Sequence, residues 1–499
     1  MPFPRSSGIL LHPTSFPSRF GIGDLGTEAY RFIDFLAESR QKFWQILPLG
    51  ATGYGNSPYM CYSAMAGNAF LISPDRLVEN GLLSEEDVSA LPEFPTHRVD
   101  YEKAIAFKMP LLEKACENFK QNASSEQQEA FQQFCDDKSY WLDDYALYMA
   151  IKKSLDGASW HTWEPDLAQR NPATLDQWRR RLPGDIFFRK FLQFEFFRQW
   201  SELKEYANQL GIEIIGDIPI YVAHDSADVW SHPDIFSLDE ETGEPAGMAG
   251  VPPDYFSATG QLWGNPVYLW DRLEKTDFHW WIERFRSILA YVDVIRIDHF
   301  RGFESFWNVS QGETTAMNGK WIEAKGEKLL EVVKQELGKL PIIAEDLGVI
   351  TPEVEALRDK FEFPGMKILH FAFGSGGGNP YLPFNFYNRN SVVYTGTHDN
   401  DTTVGWFNQL SEDERLGVLA YLGPIRSWGV HWDLIQVALS SVANQAIIPV
   451  QDLLGLDTDA RMNVPSQAEG NWEWRYESGA LTPEISDRLK MMTETYGRC

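Results

Sequence analysis

The chain has 499 residues, 43% of them hydrophobic and 14% aromatic, a composition that supports a large buried core and excludes a disordered protein. A formal net charge of −27 opposes binding to phosphate backbones or anionic lipid surfaces, so neither nucleic acid nor membrane is an expected partner, while neutral ligands remain open. Cys61, Cys116, Cys135 and Cys499 show neither metal nor disulfide spacing and fit a reducing compartment. With no apolar h-region at the start and no run of ~18 apolar residues, the cytoplasm is the expected location, although a plastid protein relieved of its transit segment would read the same.

In chain order, a first apolar run at "GILLH" (8–12) is followed by an amphipathic helix, "GTEAYRFIDFLAESR", and a second run at "FWQILPL" (43–49). The next run, "IEIIGDIPI" (212–220), comes so much later that the connection, approximately 51–210, is expected to hold a mostly helical insertion. A second insertion is expected at approximately 222–275, rich in Gly, Pro, Asp and Trp, ahead of a helix carrying "HWWIERF". Then come "VDVIRID" (292–298), "PIIAED" (341–346), "MKILHFAF" (366–373), "SVVYTGT" (391–397) and "QAIIPVQDLLG" (445–455), with "GEKLLEVVKQELGKL" as one of the intervening helices. Eight strands alternating with helices predict an α/β protein of the (β/α)8 TIM barrel kind, with residues 1–499 forming one catalytic domain. Both insertions leave from the C-terminal rim, where such barrels place their active sites, and only about 44 residues follow the last strand, too few for a separate C-terminal β-domain.

Several runs end on an acid: Asp217, Asp298, Glu345 and Asp399. One such acid is ordinarily a helix cap or turn residue, but a set of them on one rim points to chemistry. Clustered carboxylates serve either hard divalent metals or the cleavage of glycosidic bonds, and the neighbouring Arg296 and His398 weaken a metal site while suiting a site that grips sugar hydroxyls. Arg296 lies two residues from Asp298 on the same strand face and is expected to lower its pKa. His299 is expected on the opposite face, with structural roles for it and for Arg301. The 18 Trp and 19 Tyr fit a carbohydrate ligand, whose apolar ring faces stack on aromatic side chains. The loop stretches "YGNSPYMCYSAMAGN" and "PPDYFSATGQLWGNP" depart furthest from ordinary core aromatics.

The ordered set "GDIPIYV", "PPDYFSATGQLWGNP", "VIRIDHFRG", "IIAEDLG", "TGTHDNDTT", "RMNVP" and "GNWEWR" resembles the 4-α-glucanotransferases of the amylomaltase or disproportionating-enzyme type, distant relatives of the α-amylases, over nearly the whole chain. The resemblance implies a retaining double displacement with Asp298 as nucleophile, Glu345 as acid/base and Asp399 as stabiliser of the distorted sugar. It also implies that Tyr59, Asp217, Phe371 and His398 line the donor sugar with Asn463 nearby, that Arg296 belongs to the substrate-binding set, that Asp254, Gln261 and Trp263 bind the acceptor, and that Tyr54 and Tyr101 form an outer glucan site. The implied partners are α-1,4-glucans, with glucose as an acceptor. No cofactor and no metal are expected, since no nucleotide cradle occurs; oligomeric state is not readable. The rivals are a hydrolase of the α-amylase type using the same acids, and a carbohydrate-binding protein on a dead barrel.

Overall fold

A parallel strand inside a barrel is covered on both faces, so it needs continuous apolar, β-branched sequence rather than alternation. The computed structural model, which describes residues 3–253, 257–373, 376–465 and 467–499, forms strands at all eight expected runs. They are β1 (Ser6–Leu10), β2 (Phe43–Gln45), β3 (Glu213–Pro219), β4 (Val294–Asp298), β5 (Ile342–Ala344), β6 (Gly365–Ile368), β7 (Ser391–Tyr394) and β8 (Gln445–Pro449). All pair in parallel in the order β6-β7-β8-β1-β2-β3-β4-β5. The remaining gap is bridged where the Ala344 N–H donates to the Pro364 carbonyl at 2.9 Å, so the sheet is a nearly closed (β/α)8 barrel.

Register positions the chemistry. Asp217 on β3 lies opposite Arg296 on β4, and Pro219 opposite Asp298. Ile297 pairs with Ala344 on β5, so Glu345, one residue further, stands at the level of Asp298. Beneath this rim, Phe16, Phe32, Trp44 and Trp200 interlock at ring distances of 5.5–5.8 Å. The indole N–H groups of the two buried tryptophans are satisfied by the carbonyls of Leu11 and Tyr291.

Between β2 and β3 run α1 (Tyr101–Asn122), α2 (Ser125–Asp137), α3 (Ser139–Ser154) and α4 (Pro183–Gln209), with shorter helices among them. Their starts are well signalled: Asp100 caps α1, and Ser124 with Gln127 forms a capping box on α2. The first half of α4 packs Phe191 and Phe194 against Phe119 and Phe131, whereas its second half delivers Trp200 to the barrel core. One helix therefore closes the inserted region and acts as the crossover into β3.

Over the rim lies a four-stranded antiparallel sheet absent from the sequence reading, with Gln261–Pro266, Gly247–Val251, Ser305–Ser310 and Lys320–Glu323 as successive neighbours. It joins the segment after β3 to the segment after β4, so the structure gathered above the site extends beyond the expected 222–275. Several runs also stop sooner than expected, and in two of them the chain becomes helical: "MKILHFAF" turns into a short 3-10 helix at Leu369–Phe371, and "QAIIPVQDLLG" into a helix at Val450–Leu454. Among the described residues no strand follows β8, and no helix is long and apolar enough to cross a membrane.

Candidate active site

A buried arginine needs an acid, and Arg296 has two. Its Nη1 donates to both oxygens of Asp217 at 2.8 and 2.6 Å and to Asp298 Oδ1 at 3.1 Å. Asp217 Oδ2 also accepts the Tyr59 hydroxyl at 2.8 Å, and the Tyr59 oxygen lies 2.9 Å from His398 Nε2. Because Tyr59 donates its only hydrogen to Asp217, His398 must carry its hydrogen on Nε2. That nitrogen lies 3.4 Å from Asp399 Oδ2, and Asp399 Oδ1 accepts from Asn463 Nδ2 at 2.7 Å. A continuous polar chain thus runs from Asn463 through Asp399, His398, Tyr59 and Asp217 to Arg296 and Asp298. The end of β3 is itself braced by buried Arg284, which donates to the carbonyls of Pro219 and Ile220.

Glu345 joins this set through the backbone. His299 leaves the strand in a left-handed conformation (φ 54°), which aims its N–H at Glu345 Oε2, 2.7 Å away. The Leu347 N–H donates to Oε1 at 2.9 Å. The same backbone turn ends the regular strand on which the opposite-face placement of His299 depended; its ring meets Trp263 edge to face at 4.9 Å. Trp263 donates to Gln261 Oε1 at 3.2 Å, so the rim sheet holds these two predicted binding residues together beside His299, the residue that follows Asp298. Arg301 does serve structure, donating to the Val349 carbonyl and covering the Trp321 ring at 3.9 Å.

The remaining predicted residues are more dispersed. Phe371 follows β6 with its ring 5.6 Å from Tyr381. Burial, and then the charges of Asp346 and Glu345, push the Tyr381 phenol up to about 12, which puts that ring within reach of the acid cluster's field. Tyr101 is half-buried, its hydroxyl donating to the Trp472 carbonyl at 2.7 Å. Asp254 lies outside the described residues, as does the side chain of Tyr54. Residues the sequence reading passed over are Trp472, whose ring packs on Tyr59 and His398 at 5.8 and 6.1 Å, and Arg461, which donates to the carbonyls of Asp399 and Asn463. Both stand inside motifs quoted above, "GNWEWR" and "RMNVP"; only Asn463 had been given a role.

The electrostatics follow from crowding acids into a buried rim. Burial pushes Asp298 up to about 8, with Arg296 pulling it back and the charges of Asp217 and Glu345 pushing it further. Arg296 does act in the expected direction, but desolvation of Asp298 is the larger effect and the net shift is upward. Burial also raises Glu345, against the pull of Arg296 and of its backbone N–H donors. For Arg296, burial opposes the charge, but Asp217 and Asp298 outweigh it and keep the guanidinium ionised. Burial lowers His398 below the ordinary imidazole range and, with Asp217, lifts Tyr59 above the ordinary phenol range, so both act as neutral hydrogen-bond relays. Such a site holds a proton among its carboxyl groups at neutral pH and favours positive charge in a ligand, as an oxocarbenium-like transition state requires.

A family profile described as 4-alpha-glucanotransferase matches residues 11–482. A 4-alpha-glucanotransferase of Synechocystis sp. is 60% identical over 495 residues, covering 99% of this chain and 98% of the relative. One from Thermus thermophilus is 49% identical over 507 residues, covering both chains completely, and a chloroplastic/amyloplastic one from Solanum tuberosum is 45% identical over 506 residues, covering 99% and 86%. Among solved structures, the amylomaltase from Streptococcus agalactiae in complex with acarbose superposes with a TM-score of 0.96 at 40% identity, covering 99% of each chain.

Proposed function

The chain belongs to the 4-alpha-glucanotransferase family and transfers glucan segments, and we propose that it does so by a retaining double displacement on α-1,4-glucans in which Asp298, Glu345 and Asp399 do the chemistry. The observation that carries the reading is the hydrogen bond from His299 N–H to Glu345, which fixes the proton donor beside the residue that follows the nucleophile. An Asp298 oxygen attacks the anomeric carbon while Glu345 gives its proton to the departing glycosidic oxygen, leaving a glycosyl ester on Asp298. The ionised Glu345 then takes the proton from the 4-hydroxyl of an acceptor, which attacks the same carbon and frees Asp298.

Asp298 must be ionised to attack. Positive charge building at the anomeric carbon favours that form, and Arg296 supports it from 3.1 Å. Asp399, held by Asn463 and His398, is oriented to grip hydroxyls of the sugar being distorted. Gln261 and Trp263 roof the acceptor side, where an ordered acceptor outcompetes water. Glucose and longer glucans serve as acceptors in this reading, and a cytoplasmic or plastid stroma location suits such substrates.

Incubation with maltotriose tests the proposal: free glucose and longer maltooligosaccharides should appear at constant total reducing ends. Rising reducing ends without longer chains would mean hydrolysis. The assignment of Glu345 is tested separately with Glu345→Gln and maltotriosyl fluoride, whose leaving group needs no protonation. Intact-mass measurement should then show the sugar trapped on the protein, and normal turnover of maltotriose by this variant would remove Glu345 from its role.

A further inference from the structure

At the β6–β7 corner of the rim, aromatic rings stand in the open. Phe384 is 63% exposed and Tyr387 94%. Single exposed apolar residues need no explanation, but Phe384 belongs to a connected series. Its ring lies 6.3 Å from Tyr421, with the planes tilted by 31°; Tyr421 meets Phe373 at 5.6 Å, and Phe373 meets Trp406 at 5.9 Å. Phe373 is two residues from Phe371, whose ring contacts Tyr381 and which follows the C-terminal end of β6, next to β5 and the Glu345 that comes after it. The series therefore runs from the rim that carries the acids out into solvent.

Separate stretches of chain build it: the connection from β6 to β7, the helix Thr403–Gln409 that carries Trp406, and the helix Glu412–Leu422 that carries Tyr421. The outer end is fixed rather than loose, because Asn385 Nδ2 donates to the carbonyls of Gly377 and Asn379. Flat rings on a fixed loop, with amide side chains between them, suit pyranose units, which offer apolar C–H faces and a fringe of hydroxyls. A strip one ring wide suits a linear polymer better than a protein partner, which needs about 800 Å² on each side. It also lies away from Trp263, which stands over β3 and β4 on the acceptor side.

We propose that the Phe373–Tyr421–Phe384 strip is an outer donor subsite, where α-1,4-glucan chains too long for the cleft lay their distal sugars. This rests on the glucanotransferase reading above and extends it to donor length. The test compares wild type with Phe384→Ala/Tyr421→Ala on maltotriose and on maltoheptaose. The truncated variant should keep kcat/KM on maltotriose within about twofold and lose at least about fivefold on maltoheptaose through KM, with Phe384→Trp retaining the preference for the longer donor. Equal effects on both donors, or none, would overturn the subsite, and so would a change in oligomeric state by light scattering in place of a change in KM. Calorimetric titration with maltoheptaose separates the two readings, since it needs no turnover. If wild type makes no longer chains from maltotriose, the transferase reading falls, and the strip is judged on affinity alone. Unchanged maltoheptaose affinity in the double variant overturns it.

Discussion

Asp298, the proposed nucleophile, would serve the reaction against the fold. Its pKa, raised by burial to about 8, means that the folded state resists ionising a carboxyl that the unfolded chain ionises near 4. The linkage sign follows: the folded state binds more protons between those values, so this group's contribution to stability is full below about pH 4 and is lost as pH rises through about 8. Asp298→Asn removes that cost. We expect it to abolish transfer by more than about 10³-fold while raising Tm at pH 8 and leaving it unchanged at pH 4. A variant that is no more stable at pH 8 than wild type would mean that Arg296 already keeps Asp298 ionised in the free protein. Tyr59 makes a different prediction. Its hydroxyl bridges Asp217 and His398, and a hydrogen bond to a charged group contributes about 1.5–3 kcal/mol. Tyr59→Phe should therefore lower kcat/KM by roughly ten- to a hundredfold without loss of Tm beyond a few degrees. Activity near wild type would show that Asp217 and His398 keep their positions unaided.

At the level of elements, the rim sheet should decide between transfer and hydrolysis. Trp263 sits on its Gln261–Pro266 strand with its ring against His299, on what the proposed mechanism makes the acceptor side. Trp263→Ala should raise the share of reducing ends released to water at least about threefold, with the rate of the first bond cleavage less affected. An unchanged share would move the acceptor platform elsewhere. This sheet is also where sequence reading fell short, and the reason is physical. The barrel strands were legible because burial on both faces demands runs such as "VDVIRID", whereas "GMAGV", "QLWGNP" and "KWIE" are short, rich in glycine or polar residues, and half open to solvent. Their pairing joins chain segments separated by β4, and no local pattern announces such a partner. Asp298 and Glu345 were readable because each closes an apolar run, whereas Asp217 lies within β3 and Asp399 beyond the end of β7. The placement of His299 was not legible because it depended on a regular strand, and the backbone there is left-handed, with its N–H donating to the distant Glu345 carboxylate. Trp472 and Arg461 lie far along the chain from the acids, and only the fold brings them there.

For the whole molecule, the net charge of −27 and the neutral ligand make separable demands. Dispersed surface acids repel one another and destabilise the compact state, a long-range effect that added salt screens as the Debye length shrinks from ~10 Å at ~0.1 M towards ~3 Å at ~1 M. The Arg296 and Asp217 side chains are buried and their contacts short, and Asp298 reaches them from a part-exposed position, so salt screens this cluster much less. A glucan carries no charge, and its encounter with an acidic surface gains nothing from steering. Raising NaCl from about 0.05 M to about 0.5 M should thus lift Tm by a few degrees while KM for maltotriose stays within about twofold. Thermal melts and initial rates on the same samples check both halves. A KM that moved tenfold with salt would mean that surface charge reaches the acid cluster, and the polar chain from Asn463 to Asp298 could not then be treated as electrically sheltered. Constant KM with rising Tm would show instead that the acidic surface and the acidic site are independent, the first set by solubility and the second by the need to stabilise positive charge at one carbon atom.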